Sequence, residues 1–415
     1  MKIFIRLLSA VLFLLHFNAN AQDPSYSQFF NHLVSVNPAY AGMNGDLRIA
    51  AIGQHLWYNA PDKFLSTGAS MDMNLNGSPW NMGVEMQTFD MEGHGNLTTQ
   101  IFNFVGAYRI ALNYVKTKGR EKYSYFQMGM KWGYFNQSVN INNFTFRDQL
   151  DPILGVITAT SSYSNSLSSV YQPIHGIDAS IGGALRLDLG RKRGKITQNT
   201  IGYSWCHVAS TDQSMIDMYA KLPIKKTLTI NSNIPIAAFS KRSNFLNKDI
   251  IAPGLFYTTQ GPFNLMQIGF NYLQKSIGSS GFMGSSYTYF YGGVWDKTTF
   301  HKSTGNINSL VLTAGAQFPT SVSQNGSRTG VDYLKVGFSY DITLGNMLAK
   351  TPGTYELSII YSRILSKVNV NYYNQRSVSN TISLWLLKNK HNELARWFAK
   401  NKLKKSRVKC PPMFQ

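Results

Sequence analysis

Between Asp46 and Arg363 the chain is written in short segments in which every second residue is apolar and the residues between are small or polar. After Lys63 one face carries Leu65, Thr67, Ala69, Met71 and Met73, the other Ser66, Gly68, Ser70, Asp72 and Asn74. Further on, Phe126, Met128, Met130, Trp132 and Tyr134 stand against Gln127, Gly129, Lys131 and Gly133. Ile177 to Leu189, Met266 to Tyr272, Leu334 to Ile342 and Tyr355 to Tyr361 repeat the pattern. Side chains alternate faces along a strand, so each segment offers one face to lipid and one to a lumen.

A soluble β-sandwich has the same period of two. The membrane is favoured by aromatics near segment ends (Trp57, Trp80, Tyr108, Tyr134, Trp205, Tyr272, Tyr291, Tyr361) and by small, polar inward residues. The pattern predicts an all-β fold, a transmembrane antiparallel β-barrel over 46–363 with about 14 strands; 12 and 16 are the alternatives, since such barrels use even numbers. Both barrel ends then face the periplasm, with the connections Leu75 to Pro79 and Asp188 to Lys195. Gln137 to Gln172, rich in Ser, Thr and Asn and carrying Asp151–Pro152, falls outside with Val208 to Ile224 and Val294 to Asn308. These outward loops are the expected seat of a partner.

The start of the chain reads as an export signal. Lys2 and Arg6 precede an apolar run from Leu7 to Phe17, and Ala19-Asn20-Ala21 forms an Ala-x-Ala cleavage site, so residues 1–21 are a leader removed after Ala21. The apolar run is too short to span hydrocarbon, which needs ~20 residues. Residue 22 is Gln rather than Cys, against a lipoprotein.

Charge changes the picture at the other end. The net charge is +20, and 364–415 holds eleven Lys or Arg against the single acid Glu393. The remaining excess clusters at Lys116 to Lys122, Arg191 to Lys195 and Lys241 to Lys248. In an exported protein such patches face anionic outer-membrane lipid or acidic protein partners rather than nucleic acid. Within the tail, Leu384, Leu387, Leu394 and Phe398 recur at helical spacing among basic residues. Three readings stay open: a solvated helix under the barrel, a periplasmic docking element, or a helix on the inner leaflet of the outer membrane.

No chemistry stands out. The eight histidines are scattered, without His-x-x-x-His or Cys-x-x-Cys spacing, and neither a metal nor another cofactor is expected. Trp205, Cys206 and His207 are adjacent, but alternation puts Cys206 and His207 on opposite faces. Gly182 and Gly183, inside a strand pattern, mark a bulge or close packing. Asp90, Glu92, His94, Asp212 and Asp217 are loop-borne candidates for a surface hydrolase, a minor alternative to a protein that is not an enzyme. With only two cysteines, Cys206 and Cys410, there is no disulfide framework.

Two motifs stand just after the cleavage site: Asp23-Pro24-Ser25-Tyr26-Ser27-Gln28 and Asn37-Pro38-Ala39-Tyr40-Ala41-Gly42. The prolines fix φ, Asn37 can close a turn and Gly42 permits positive φ, so 22–45 reads as an ordered periplasmic segment leading into the first strand. With Gln260-Gly261-Pro262, the Gly292-Gly293-x-Trp295 segment, the strands Val336 to Ile342 and Gly353 to Tyr361, and the terminal Cys410-Pro411-Pro412-Met413-Phe414, the chain resembles the PorP/SprF family of the Bacteroidota type IX secretion system. The terminus departs from the family's Cys-Pro-x-Phe by one extra residue and Gln415, and a long basic stretch precedes it. The resemblance implies a non-enzymatic outer-membrane barrel that supports secretion and surface anchoring of a cognate adhesin-like protein, linked to gliding motility, with periplasmic and outer-membrane secretion components as partners. It also makes the motif residues structural or partner-contacting. The rival is a diffusion channel or a transporter of hydrophobic compounds, for which the small inward residues leave room.

Overall fold

The computed structural model describes residues 23–43, 47–57, 63–75, 78–92, 97–117, 120–140, 144–151, 153–158, 161, 172–189, 197–209, 221–237, 248–275, 288–300, 307–323, 330–344 and 353–363. The leader, the basic tail, Cys410, Pro411 and Phe414 lie outside the described residues, as do His94, Asp212 and Asp217.

Among the described residues, sixteen strands follow a short helix α1 (Leu33–Val36) and a 3-10 turn (Pro38–Tyr40). They are β1 (Leu47–Leu56), β2 (Lys63–Asn74), β3 (Trp80–Glu92), β4 (Leu97–Thr117), β5 (Arg120–Val139), β6 (Leu150–Asp151), β7 (Gly155–Val156), β8 (Ile174–Leu189), β9 (Thr197–Cys206), β10 (Lys225–Ala237), β11 (Lys248–Gln260), β12 (Phe263–Lys275), β13 (Tyr289–Phe300), β14 (Ile307–Ser323), β15 (Gly330–Thr343) and β16 (Thr354–Arg363). Fourteen of them form one closed barrel in which each strand pairs antiparallel with its chain neighbour and β1 closes on β16, Leu47 opposite Arg363. The other two, β6 and β7, make a hairpin within the β5–β8 connection.

The alternation read from the sequence is the alternation of burial. Met128, Met130, Trp132 and Tyr134 stand outward at about half exposure while Gln127 and Lys131 are buried inside. The expected loop Val294 to Asn308 is shorter than read, because β13 runs to Phe300 and β14 begins at Ile307. Tyr291 is not part of an outer aromatic band; it points inward and is buried.

Leu47 and Arg363 mark the proximal end of the barrel, and the β5–β8 and β9–β10 connections, which are the longest, leave the opposite, distal end. An inside lined by small and polar residues would be a water-filled bore at this strand number. Here it is occupied. Residues 23–43, expected to stand in the periplasm, lie within the barrel as a plug. Asp23 sits at the distal end beside His207, Lys225 and Gln260. Gly42 and Met43 reach the proximal half at Asp72, Arg109 and Tyr125. A 21-residue stretch without strand or long-helix periodicity has backbone donors and acceptors to satisfy, and it finds their partners on the polar inner wall rather than in the periplasm. The small inward residues make room for this segment rather than for a bore.

Glycine marks where wall and plug touch. A Cβ on Gly129 would meet the Pro38–Ala39 backbone at under 3.0 Å, whereas one on Gly106 meets nothing within 4 Å. Gly129→Ala is therefore expected to lower stability by about 1–3 kcal/mol, since backbone must move. Gly106→Ala, on the adjacent strand, should be nearly silent in the same melting experiment in detergent. Gly182 settles the choice left open by the sequence: the β5–β8 register runs through it without a shift, and its inward side abuts the Asn37 side chain, so it serves close packing rather than a bulge.

Candidate functional site

The plug is held by backbone accounting. Its carbonyls accept from wall side chains: Ser27 from Gln267 Nε2 (2.8 Å), Val36 from Ser204 Oγ (2.8 Å), Ala41 from Gln127 Nε2 (2.6 Å) and Gly42 from Arg109 Nη2 (2.7 Å). Asn31 and Met43 carbonyls accept from Arg48 and Tyr125. Its N–H groups find acceptors too. Glu356 on β16, fully buried, takes the Ser27 and Gln28 N–H on its two oxygens and also the Gln54 side chain. Asp72 takes the Gly42 N–H at 2.8 Å and Gln260 the Asp23 N–H at 2.9 Å. Buried peptide groups left unpaired cost ~1–3 kcal/mol each, so the wall works as a template for this one segment.

Side chains fix its register. Asn37 caps the 3-10 turn by accepting from Ala39 N–H, and its amide donates to the carbonyls of Gly183 and Tyr203. Tyr40 meets Thr229 on β10. Phe29 and Phe30 pack on Trp295, Phe29 edge-on and Phe30 stacked, with Phe256, Leu265 and Val311 completing the cluster. Gly42 has φ 58°, and a Cβ there would meet the Met73 backbone at 2.7 Å, so only glycine fills the place without strain.

Several charges on the wall are paired across it. Lys131 faces Glu85 at 2.9 Å, and Lys297 bridges Asp341 (2.9 Å) and Ser27 Oγ (2.8 Å). At the distal end His207 sits between Asp178 (2.8 Å) and Asp23 (2.6 Å), with Lys225 at 3.7 Å from Asp23. His207 does not take the face opposite Cys206 as alternation predicts. The strand ends at Cys206 and His207 has φ 60°, which turns its ring back into the barrel.

This clasp titrates. Burial opposes charge on His207, but the facing carboxylates outweigh it and raise its pKa from the ordinary 6.5 to about 10. Burial likewise opposes ionisation of Asp23, yet His207 and Lys225 hold its carboxyl well below its usual range. A raised imidazole contributes stability in full below 6.5 and loses it as pH rises through about 10. A depressed carboxyl contributes above 3.8 and loses it as pH falls. The stability advantage of the wild type over His207→Gln should thus be greatest between 3.8 and 6.5 and shrink toward pH 10, measured by melting in detergent. An advantage that grows on the alkaline side would refute the clasp.

The motif residues singled out from the sequence converge on this plug with few exceptions. Asp23, Ser27, Gln28, Asn37, Pro38, Ala39, Tyr40, Gly42, Gln260 and Trp295 meet across the plug–wall contact, and Pro24 lines a small distal cavity of about 60 Å³. Gly261, at φ 56°, and Pro262 form the β11–β12 turn; Gly293 abuts Asn271 and Thr313, and Gly292 faces outward. Sequence reading missed Glu356, Arg109 and the Lys297–Asp341 pair. The signal was there: ionisable side chains on inward positions of alternating strands need partners. Asp90 lies on β3, apart from the clasp.

A closed, even-stranded antiparallel barrel with an apolar outer face and a chain segment seated inside defines a plugged outer-membrane β-barrel. The family model described as type IX secretion system membrane protein PorP/SprF matches residues 18–361, and the chain belongs to that family. A comparison with curated protein sequences finds no match. Among solved structures, the β domain of the Bordetella autotransporter BrkA is similar at 11% identity and TM-score 0.32, covering 76% of this chain and 98% of that one. The translocator domain of the autotransporter NalP from Neisseria meningitidis gives 12%, 0.33, 87% and 95%, and the CymD monoaromatic hydrocarbon channel 12%, 0.36, 82% and 94%. These likenesses go no further than the barrel.

Proposed function

We propose that this protein is a non-enzymatic, closed partner barrel of the type IX secretion system, which supports export and surface anchoring of a cognate adhesin-like protein in service of gliding motility. The observation that carries the reading is the seated plug. A barrel whose bore is taken by its own chain offers substrate no path, so its contribution is made by its two ends. Family membership supplies the secretion setting.

The distal end has a surface suited to holding protein. On the β6–β7 hairpin Ile153 is 91% and Leu154 77% exposed, with Val156 and Ile157 beside them. An apolar group on an outward loop favours a protein contact over water. The plugged bore also argues against the diffusion-channel reading.

The test is a mild-detergent pull-down of the tagged protein from native outer membranes with mass spectrometry of the eluate. A large secreted surface protein with periplasmic secretion components is the expected result. A barrel recovered bare would overturn the reading.

A further inference from the structure

The plug does not fill the proximal half of the barrel. Below Phe30 and Leu33, and beside Tyr40 to Met43, a chamber of about 280 Å³ remains, a size at the lower limit of small-ligand pockets. It reaches the proximal strand ends, since Gln198 on β9 and Ser362 on β16 line it. Its lining holds Arg48, Arg186 and Lys335 with one acid, Asp72; Arg186 is paired with Asp188 at 3.3 Å, and the rest is rich in amide and hydroxyl groups.

Lys335 is the telling residue. Other lysines at the plug or its wall face a carboxylate, Lys131 with Glu85 and Lys297 with Asp341 at 2.9 Å and Lys225 with Asp23 at 3.7 Å. Lys335 instead has the Asn31 side-chain oxygen at 2.7 Å and the faces of Tyr291 and Phe30 at 4.6 and 5.4 Å, with no carboxylate partner among the described residues. Asp72 is matched to Arg48 at 3.9 Å, with its other oxygen on Gly42 N–H, so it does not serve Lys335. A cation held in a confined, partly dehydrated space without a counter-charge is costly, and an anion placed beside it removes the cost.

We propose that this chamber is an anion site that takes a compact carboxylate or phosphate group from the proximal side, held by Lys335 and Arg48 with wall amides as further donors. The site is independent of the secretion role, because its argument rests on the charge and shape of the chamber alone.

The test uses the full chain in detergent and measures binding of a tetraglutamate peptide with a neutral dye by fluorescence anisotropy. Inorganic phosphate serves as competitor and a tetralysine peptide as control. Since the tail is basic, the informative quantity is the change between variants inside the chamber. Lys335→Met should weaken binding about tenfold, the scale of one charge-assisted contact. Asp72→Asn, which keeps an oxygen for Gly42 N–H, should strengthen it about threefold by removing the repulsive charge. The opposite signs separate a site from a folding defect, and if Lys335→Met unseats the plug, Asp72→Asn decides alone. Displacement by phosphate would identify free anions as the source; resistance to phosphate would identify an acidic chain segment. Binding that neither variant changes, or no saturable binding of either probe, would overturn the proposal.

Discussion

A short epitope inserted between Gln22 and Asp23 is expected to be reached by antibody on intact cells. The same epitope inserted after Arg363 should be reached only once the outer membrane is permeabilised. Even-stranded barrels keep both barrel ends in the periplasm and their long loops outside. Leu47 and Arg363 share the proximal end, and the long β5–β8 and β9–β10 connections leave the distal one. Asp23 is at the distal end, tied to His207 and Gln260, and the chain then descends through the bore to Met43. If the leader is removed after Ala21, as the sequence predicts, an N-terminus adjoining Asp23 is expected at the cell surface although the barrel itself begins in the periplasm. Epitopes hidden at 22–23 and exposed after 363 would reverse the orientation. Both hidden in intact cells would place the segment's start below the rim.

The second large effect is expected from Glu356→Ala. Glu356 is fully buried, and it accepts from two successive plug N–H groups and from Gln54. Alanine leaves these donors unpaired in the lumen, a loss of about 3 kcal/mol. A local loss of that size should speed amide hydrogen exchange in residues 23–43 about a hundredfold while the strand amides keep their protection. Glu356→Gln retains an acceptor oxygen and should show a much smaller change. Uniform acceleration across strands and plug would mean that Glu356 supports the barrel as a whole and does not seat the segment.

The barrel was legible because its physics is local. A strand between lipid and lumen must alternate, and runs such as Phe126 to Tyr134 show this on their own. The plug was not legible as a plug, because its partners lie far away in sequence: Ser27 meets Glu356 and Asn37 meets Gly183. What a single sequence does show is each half of such a pair, an irregular stretch carrying three Ser and two Asn, and charges such as Lys131 on inward positions. His207 escaped for another reason. Alternation assumes a continuing strand, and its positive φ ends that strand one residue earlier.

The central claim is that residues 23–43 close the bore, and single-channel recording of the purified full-length protein in a planar bilayer tests it most directly. The account predicts no steady conductance in the wild type. Stable, ohmic steps of a size expected for an open bore of 14 strands would contradict it.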